Sequence, residues 1–148
     1  MKLYLDMCVY NRPFDEQSQP RIVIETQIFI VLLLMVAQGH IELINSFALA
    51  FENSRNPNFE NRLKISDLLK YSSKYIPFDE DIMNRASMYE QMGLNGMDAV
   101  HVACAEKARA DFFVSCDDRL LKKLEQTGSV GVPFCSLISV ISQEVFNQ

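Results

Sequence analysis

Three aspartates stand where apolar stretches meet polar chain. Asp6 closes Leu3-Tyr4-Leu5-Asp6, Asp98 follows Gly96-Met97 at the head of an apolar helical run, and Asp117 closes Phe112-Phe113-Val114-Ser115-Cys116-Asp117. In an open α/β domain, ligand sites form outside the carboxyl ends of the strands, so parallel neighbouring strands would bring such acids to one edge. Carboxylates gathered there repel one another unless a cation lies between them. Hard oxygen ligands without an accompanying Cys/His set favour Mg²⁺ or Mn²⁺, ions that usually act on phosphates. The chemistry indicated is phosphodiester chemistry.

Each acid also has an ordinary structural use. Asp6 can form an Asx turn at a strand end. Asp98 can serve the first turn of a helix capped by Asn95, and Asp117 can cap the helix that follows it. It is their joint placement at strand and helix ends that points to a shared metal site.

The elements that must position these acids follow from the hydrophobic pattern. Residues 2–6 read as a strand, followed by Asn11-Arg12-Pro13 turn chemistry and a polar loop through Gln19. A helix is expected over about 20–38, with Pro20 in its first turn and Gly39 as its stop, and its continuous apolar back half predicts deep burial. A second strand, 41–45, leads into a short helix, 47–53, that carries Glu52 and ends before Asn56-Pro57. Phe59, Leu63, Ile65, Leu68, Leu69 and Tyr71 then recur at helical spacing.

Residues 75–78 fit an edge strand because of Pro77. Asp79 caps a helix over about 80–92, and a further helix runs from Gly96 to about residue 110. A strand over 112–115, a charged helix over about 118–126, a strand over 131–135 and a final helix complete the pattern. Strands alternating with helices predict a three-layer α/β/α domain with a mostly parallel central sheet.

Bulk composition narrows the possibilities. The 148 residues fit one domain over 1–148, and 49% hydrophobic with 22% charged residues is a globular composition. A net charge of −5 excludes a generally basic nucleic-acid surface, so any RNA contact must be local. Cys8, Cys104, Cys116 and Cys135 form no C-x-x-C pair, so neither a zinc site nor a disulfide framework is indicated. No apolar signal segment opens the chain, and the apolar run 28–37 is shorter than the roughly 20 residues that span a bilayer. A cytoplasmic protein with no membrane span is expected.

The segments Tyr4-Leu5-Asp6, Gly96-Met97-Asp98-Ala99-Val100-His101-Val102-Ala103 and Phe113-Val114-Ser115-Cys116-Asp117 resemble the three signature segments of PIN-domain ribonucleases, the family that includes VapC-type toxins. The resemblance spans essentially the whole chain. It implies that Asp6, Asp98 and Asp117 are metal-binding, catalytic acids, and that Glu52 is the fourth acid, on the helix after the second strand; Glu42 is the alternative for that place. It further implies one or two Mg²⁺ or Mn²⁺ ions, an RNA substrate cleaved to leave a 5′-phosphate, and a homodimer restrained by a small antitoxin protein. Such an antitoxin could inhibit by inserting a basic side chain among the acids.

Further residues near these segments take expected supporting places. His101 shares a helix face with Asp98 and is expected behind the acids rather than among them. Ser115 can bond a carboxylate or a water, and Asp118 either assists as a peripheral acid or only favours its helix N-terminus. Arg12 and Arg119 can clamp phosphates with their forked guanidinium groups or simply remain solvated. His40, at a helix end, has no assigned chemistry.

Cys8 and Cys116 depart from the family pattern. They are expected to pack, although their closeness would also allow an oxidation-sensitive site. The alternatives to a nuclease are a PIN-like module that binds RNA or a protein partner through a weakened site, and a receiver-like phosphoacceptor. The latter fits less well because Met7 and Cys8, not a second acid, follow Asp6.

Overall fold

The computed structural model describes residues 1–142. Its strands are β1 (Lys2–Leu5), β2 (Glu42–Ser46), β3 (Lys74–Ile76), β4 (Phe112–Ser115) and β5 (Phe134–Ser136). They pair in the order β3-β2-β1-β4-β5, and every pairing is parallel. The expected three-layer α/β/α architecture is what forms, with a sheet that is wholly parallel among the described residues. β1 lies at the centre, and Leu3, Tyr4 and Leu5 have no exposed surface. Short apolar runs without alternation are what a strand covered on both faces requires.

The helices are α1 (Met7–Asn11), α2 (Pro20–Ala37), α3 (Phe47–Ser54), α4 (Phe59–Leu69), α5 (Glu80–Gln91), α6 (Gly96–Lys107) and α7 (Asp118–Thr127). Side-chain caps define most of their starts. Ser46 accepts from the Leu49 N–H at α3, Asn95 from the Asp98 N–H at α6, and Asp117 from the Arg119 and Leu120 N–H groups at α7. Each cap satisfies a backbone donor that helix geometry leaves unpaired.

Five expectations are corrected. The segment after β1 is not simply a loop: Asp6 accepts the Met7 N–H and starts α1, and a 3₁₀ turn, Arg12–Phe14, follows. At five residues α1 is too short to display a helical period, yet it buries Met7, Val9 and Tyr10. β3 stops at Ile76, before Pro77, and α6 stops at Lys107 rather than near 110, with Arg109 just beyond it at φ 55°. β5 begins at Phe134, after Pro133, which has no N–H to give to a ladder. After it the described chain makes a 3₁₀ turn, Ile138–Ser142, and the rest of the expected final helix lies outside the described residues.

The fifth correction concerns α2. By length and composition it could cross a membrane, with 18 residues and mean hydropathy 1.9, but only 22% of it is buried in the domain, so deep burial of its apolar half does not hold. Glu25, Ile28, Phe29 and Leu32 face inward, whereas Ile24, Ile30, Val31 and Leu34 lie exposed. The inward face carries a charge. Glu25 has no exposed surface and meets Arg12 Nε at 3.0 Å and Arg21 Nε at 3.5 Å.

Candidate active site

β1 hands the chain to Asp6 at the sheet edge, where the Asp6 N–H donates to the Val114 carbonyl of β4 at 2.8 Å. Asp6 is only 6% exposed, and both of its oxygens are engaged. Oδ1 accepts the Met7 N–H at 2.9 Å, and Oδ2 accepts the Ser115 hydroxyl at 2.8 Å. Ser115 Oγ in turn accepts the Asp117 N–H at 3.0 Å. One hydroxyl therefore links the acid after β1 to the acid after β4.

Glu52 reaches the same edge from α3. Its Oε1 lies 2.6 Å from His101 Nε2 on α6, and carboxylate oxygens of Asp6 and Glu52 and a ring nitrogen of His101 all lie within 4.8 Å of one another. His101 is 1% exposed, and its other nitrogen, Nδ1, lies 2.7 Å from the Tyr4 hydroxyl. That hydroxyl also lies 2.7 Å from Ser46 Oγ, the cap of α3. Tyr4 and Asp6 are two residues apart, so the strand directs both toward the same side. Glu42, the alternative to Glu52, begins β2 beside Lys2, at the opposite end of the strands, and accepts the Ser73 hydroxyl.

Asp98 is half-buried in the first turn of α6. Its pKa is raised to about 6, first by burial and then by the charges of Asp6 and Asp117; His101 partly offsets this, and Glu52 adds to it. The charges of Asp6, Asp117 and Glu52 thus reach Asp98. Asp117 is more exposed, and its Oδ1 is taken by the N–H groups at the start of α7. A site so rich in carboxylates, with donor atoms this close, fits a divalent cation bound by oxygen.

Two of the neighbouring charged residues, Arg12 and Asp118, are engaged in ion pairs. Arg12 does not project as a free phosphate clamp, because its NH1 contacts Asp15 at 2.7 Å and its Nε contacts Glu25. Asp118 is paired with Arg21, which donates to both of its oxygens at 2.6 and 2.9 Å and keeps its carboxyl below the usual range. Arg21 also reaches the Cys116 carbonyl at 3.4 Å. Arg119 remains exposed, beside Lys122 and Lys123.

Cys8 Sγ lies 3.5 Å from Asp6 Oδ2 and accepts the Cys116 N–H at 3.2 Å. Its contact with the Cys116 side chain, followed by burial, raises its pKa well above that of a free thiol. A protonated thiol is a poor nucleophile, which favours packing over reactivity toward oxidants.

Sequence reasoning missed Tyr4, Ser46, Glu25 and Arg21. Arg21 and Glu25 carried a signal, an i,i+4 charge pair on an otherwise apolar helix. Ser46 carried another, as a hydroxyl at a helix start. Tyr4 carried none beyond its place two residues before Asp6.

A model of the PIN domain matches residues 5–125. The chain belongs to the PIN-domain family, whose members are generally nucleases. No curated protein sequence matches it significantly. Among solved structures, the chain is similar to one of VapBC2 from Rickettsia felis bound to a DNA fragment from their promoter. The TM-score is 0.57 at 14% identity, over 92% of this chain and 98% of that one. At that identity the likeness establishes the fold.

Proposed function

We propose that this chain, acting as one domain, is a metal-dependent endoribonuclease and the toxin of a VapBC-type toxin–antitoxin pair. The observation that carries this reading is the meeting of Asp6 and Glu52 beside His101, with Asp98 and Asp117 close enough for their charges to act on one another. Asp6, Glu52, Asp98 and Asp117 would hold Mg²⁺ or Mn²⁺. When bound, such an ion stabilises negative charge on a phosphoryl group and makes water a better nucleophile.

The chain's own groups have separable tasks. Ser115 fixes the rotamer of Asp6, and His101 fixes Glu52. Arg119, exposed beside Lys122 and Lys123, offers its guanidinium to a backbone phosphate, whereas Arg12 and Asp118 brace the scaffold. The apolar face of α2, with Ile24, Ile30, Val31 and Leu34 exposed, suits a second copy in a homodimer. The antitoxin assignment draws on the likeness to VapBC2, and a cytoplasmic location is in keeping with such a pair.

The test is incubation of a mixed RNA pool, and of single-stranded DNA of matching sequence, with Mn²⁺, with Mg²⁺ and with EDTA. RNA fragments bearing 5′-phosphates in the metal arms alone support the reading. Intact RNA in every arm favours a PIN-like binding module, a reading for which the Cys8 thiol against Asp6 is the specific motive.

A further inference from the structure

A cavity of about 610 Å³ opens beside the acids: Glu52 forms part of its wall, together with Met7 and Met97, the sequence neighbours of Asp6 and Asp98. Its volume falls within the roughly 300–1,000 Å³ of small-ligand sites. The rest of the wall comes from the end of α1 and the turn after it, from α3 and the start of α4, and from the connection between those two helices. Resting on the proposed function, we propose that this cavity is a nucleobase subsite, which seats one base of single-stranded RNA next to the phosphate presented to the acids.

Polar groups in the wall are left without partners. Among the described residues, the side-chain amides of Asn11 and Asn61 make no hydrogen bond. Asn53 is 5% exposed; its amide nitrogen donates to the Arg62 carbonyl at 3.0 Å, but its Oδ1 is buried and unpartnered. Buried polar atoms normally find partners, so this part of the wall leaves carboxamide hydrogen-bonding capacity unused. Carboxamides carry both donors and an acceptor, which is what the edge of a base requires.

Aromatic rings supply the second element of base recognition. Phe51 is 52% exposed and carries the Arg55 guanidinium 5.6 Å from its ring centroid. Phe14 has the Lys64 ammonium 5.9 Å from its own. Neither cation has an acidic partner among the described residues, so both can meet backbone phosphates. Exposed rings stack on bases, and rim cations track the backbone, as single-strand binding requires. In a chain of net charge −5, this is the kind of local RNA contact that composition allows.

The experiment maps cut sites in an RNA pool with Mn²⁺ for the wild type, Phe51→Leu and Asn61→Ala, and measures KM, Mn²⁺ affinity and melting temperature for each. In parallel, each nucleoside 5′-monophosphate is titrated into the isotope-labelled wild type in EDTA. The wild type should prefer one base beside the cut. Both variants should lose that preference and raise KM about tenfold or more, with Mn²⁺ affinity and melting temperature unchanged. Identical cut sites and KM in all three proteins would overturn the subsite while leaving the nuclease standing. If the wild type cuts no RNA, the proposed function falls and the titration decides. Shifts at the backbone amides of Asn11, Phe51 and Asn61 would sustain a base site, whereas silence toward all four nucleotides would leave the cavity to a protein side chain and overturn it.

Discussion

His101 Nε2 lies 2.6 Å from Glu52 Oε1, and this contact ends a buried hydrogen-bond chain that begins at the cap of α3. With the imidazole neutral and the carboxylate ionised, only one proton arrangement satisfies every group. The Leu49 N–H donates to Ser46, the Ser46 hydroxyl to Tyr4, the Tyr4 hydroxyl to His101 Nδ1, and the Nε2–H to Glu52. The chain fixes both the tautomer and the acid. Partners of this kind typically contribute 10–100-fold in metal affinity, so His101→Asn should weaken Mn²⁺ binding by about that factor, and Tyr4→Phe by less. Titration followed by the Mn²⁺ paramagnetic resonance signal measures this; unchanged affinity in both variants would remove the positioning role.

Asp98 gives the metal-free protein a pH dependence with a defined sign. Its folded pKa, about 6, lies above the ordinary 3.8, so the folded state holds the proton more tightly than the unfolded chain. The stability it contributes is fully present below about pH 4 and is lost as pH rises through about 6. In EDTA, Asp98→Asn should therefore melt higher than the wild type at pH 7, with the gap closing toward pH 4. A gap independent of pH would show that the acids do not share a field.

Much of this organisation was legible because strand ends and helix starts are marked by residue type. The segment Phe113–Asp117 displays its strand, its turn and its acid in order, and β4 forms at 112–115 as the pattern predicts. Glu52 stands on the expected helix, but only three-dimensional placement separates it from Glu42, which lies ten residues away in sequence and at the other end of the strands. The partners of Arg12 and Asp118 were not legible. Arg21 and Asp118 are 97 residues apart, and an exposed arginine reads the same whether it meets a phosphate or an aspartate. The outward face of α2 was illegible for another reason: a helix apolar all round does not say which side is buried.

Glu25 holds the turn after α1 and the start of α2 together through Arg12 and Arg21. Glu25→Ala removes both contacts of a buried carboxylate, while Arg12 keeps Asp15 and Arg21 keeps Asp118, so it should cost about 2 kcal/mol in urea denaturation. Asp118→Asn breaks an exposed contact and should cost far less. Equal losses would contradict the assignment of Glu25 as the centre of the brace.

Leu34 is 58% exposed on the apolar side of α2. If that side pairs two copies, Leu34→Glu should convert a dimer to a monomer in sedimentation velocity without lowering the helical signal in circular dichroism. A dimer that survives the substitution would place the contact elsewhere.

In the function proposed here, the acids at the sheet edge form one metal-dependent cleavage centre. This is tested most directly by single-turnover cleavage of an RNA that the wild type cuts, with Mn²⁺, for the wild type, Asp6→Asn and Asp98→Asn, after each variant is shown to be folded. EDTA should abolish wild-type cleavage, and both variants should lose at least about a hundredfold, as expected when groups acting as a unit lose one member. Folded variants that cut at the wild-type rate, or wild-type cleavage that persists in EDTA, would contradict this reading.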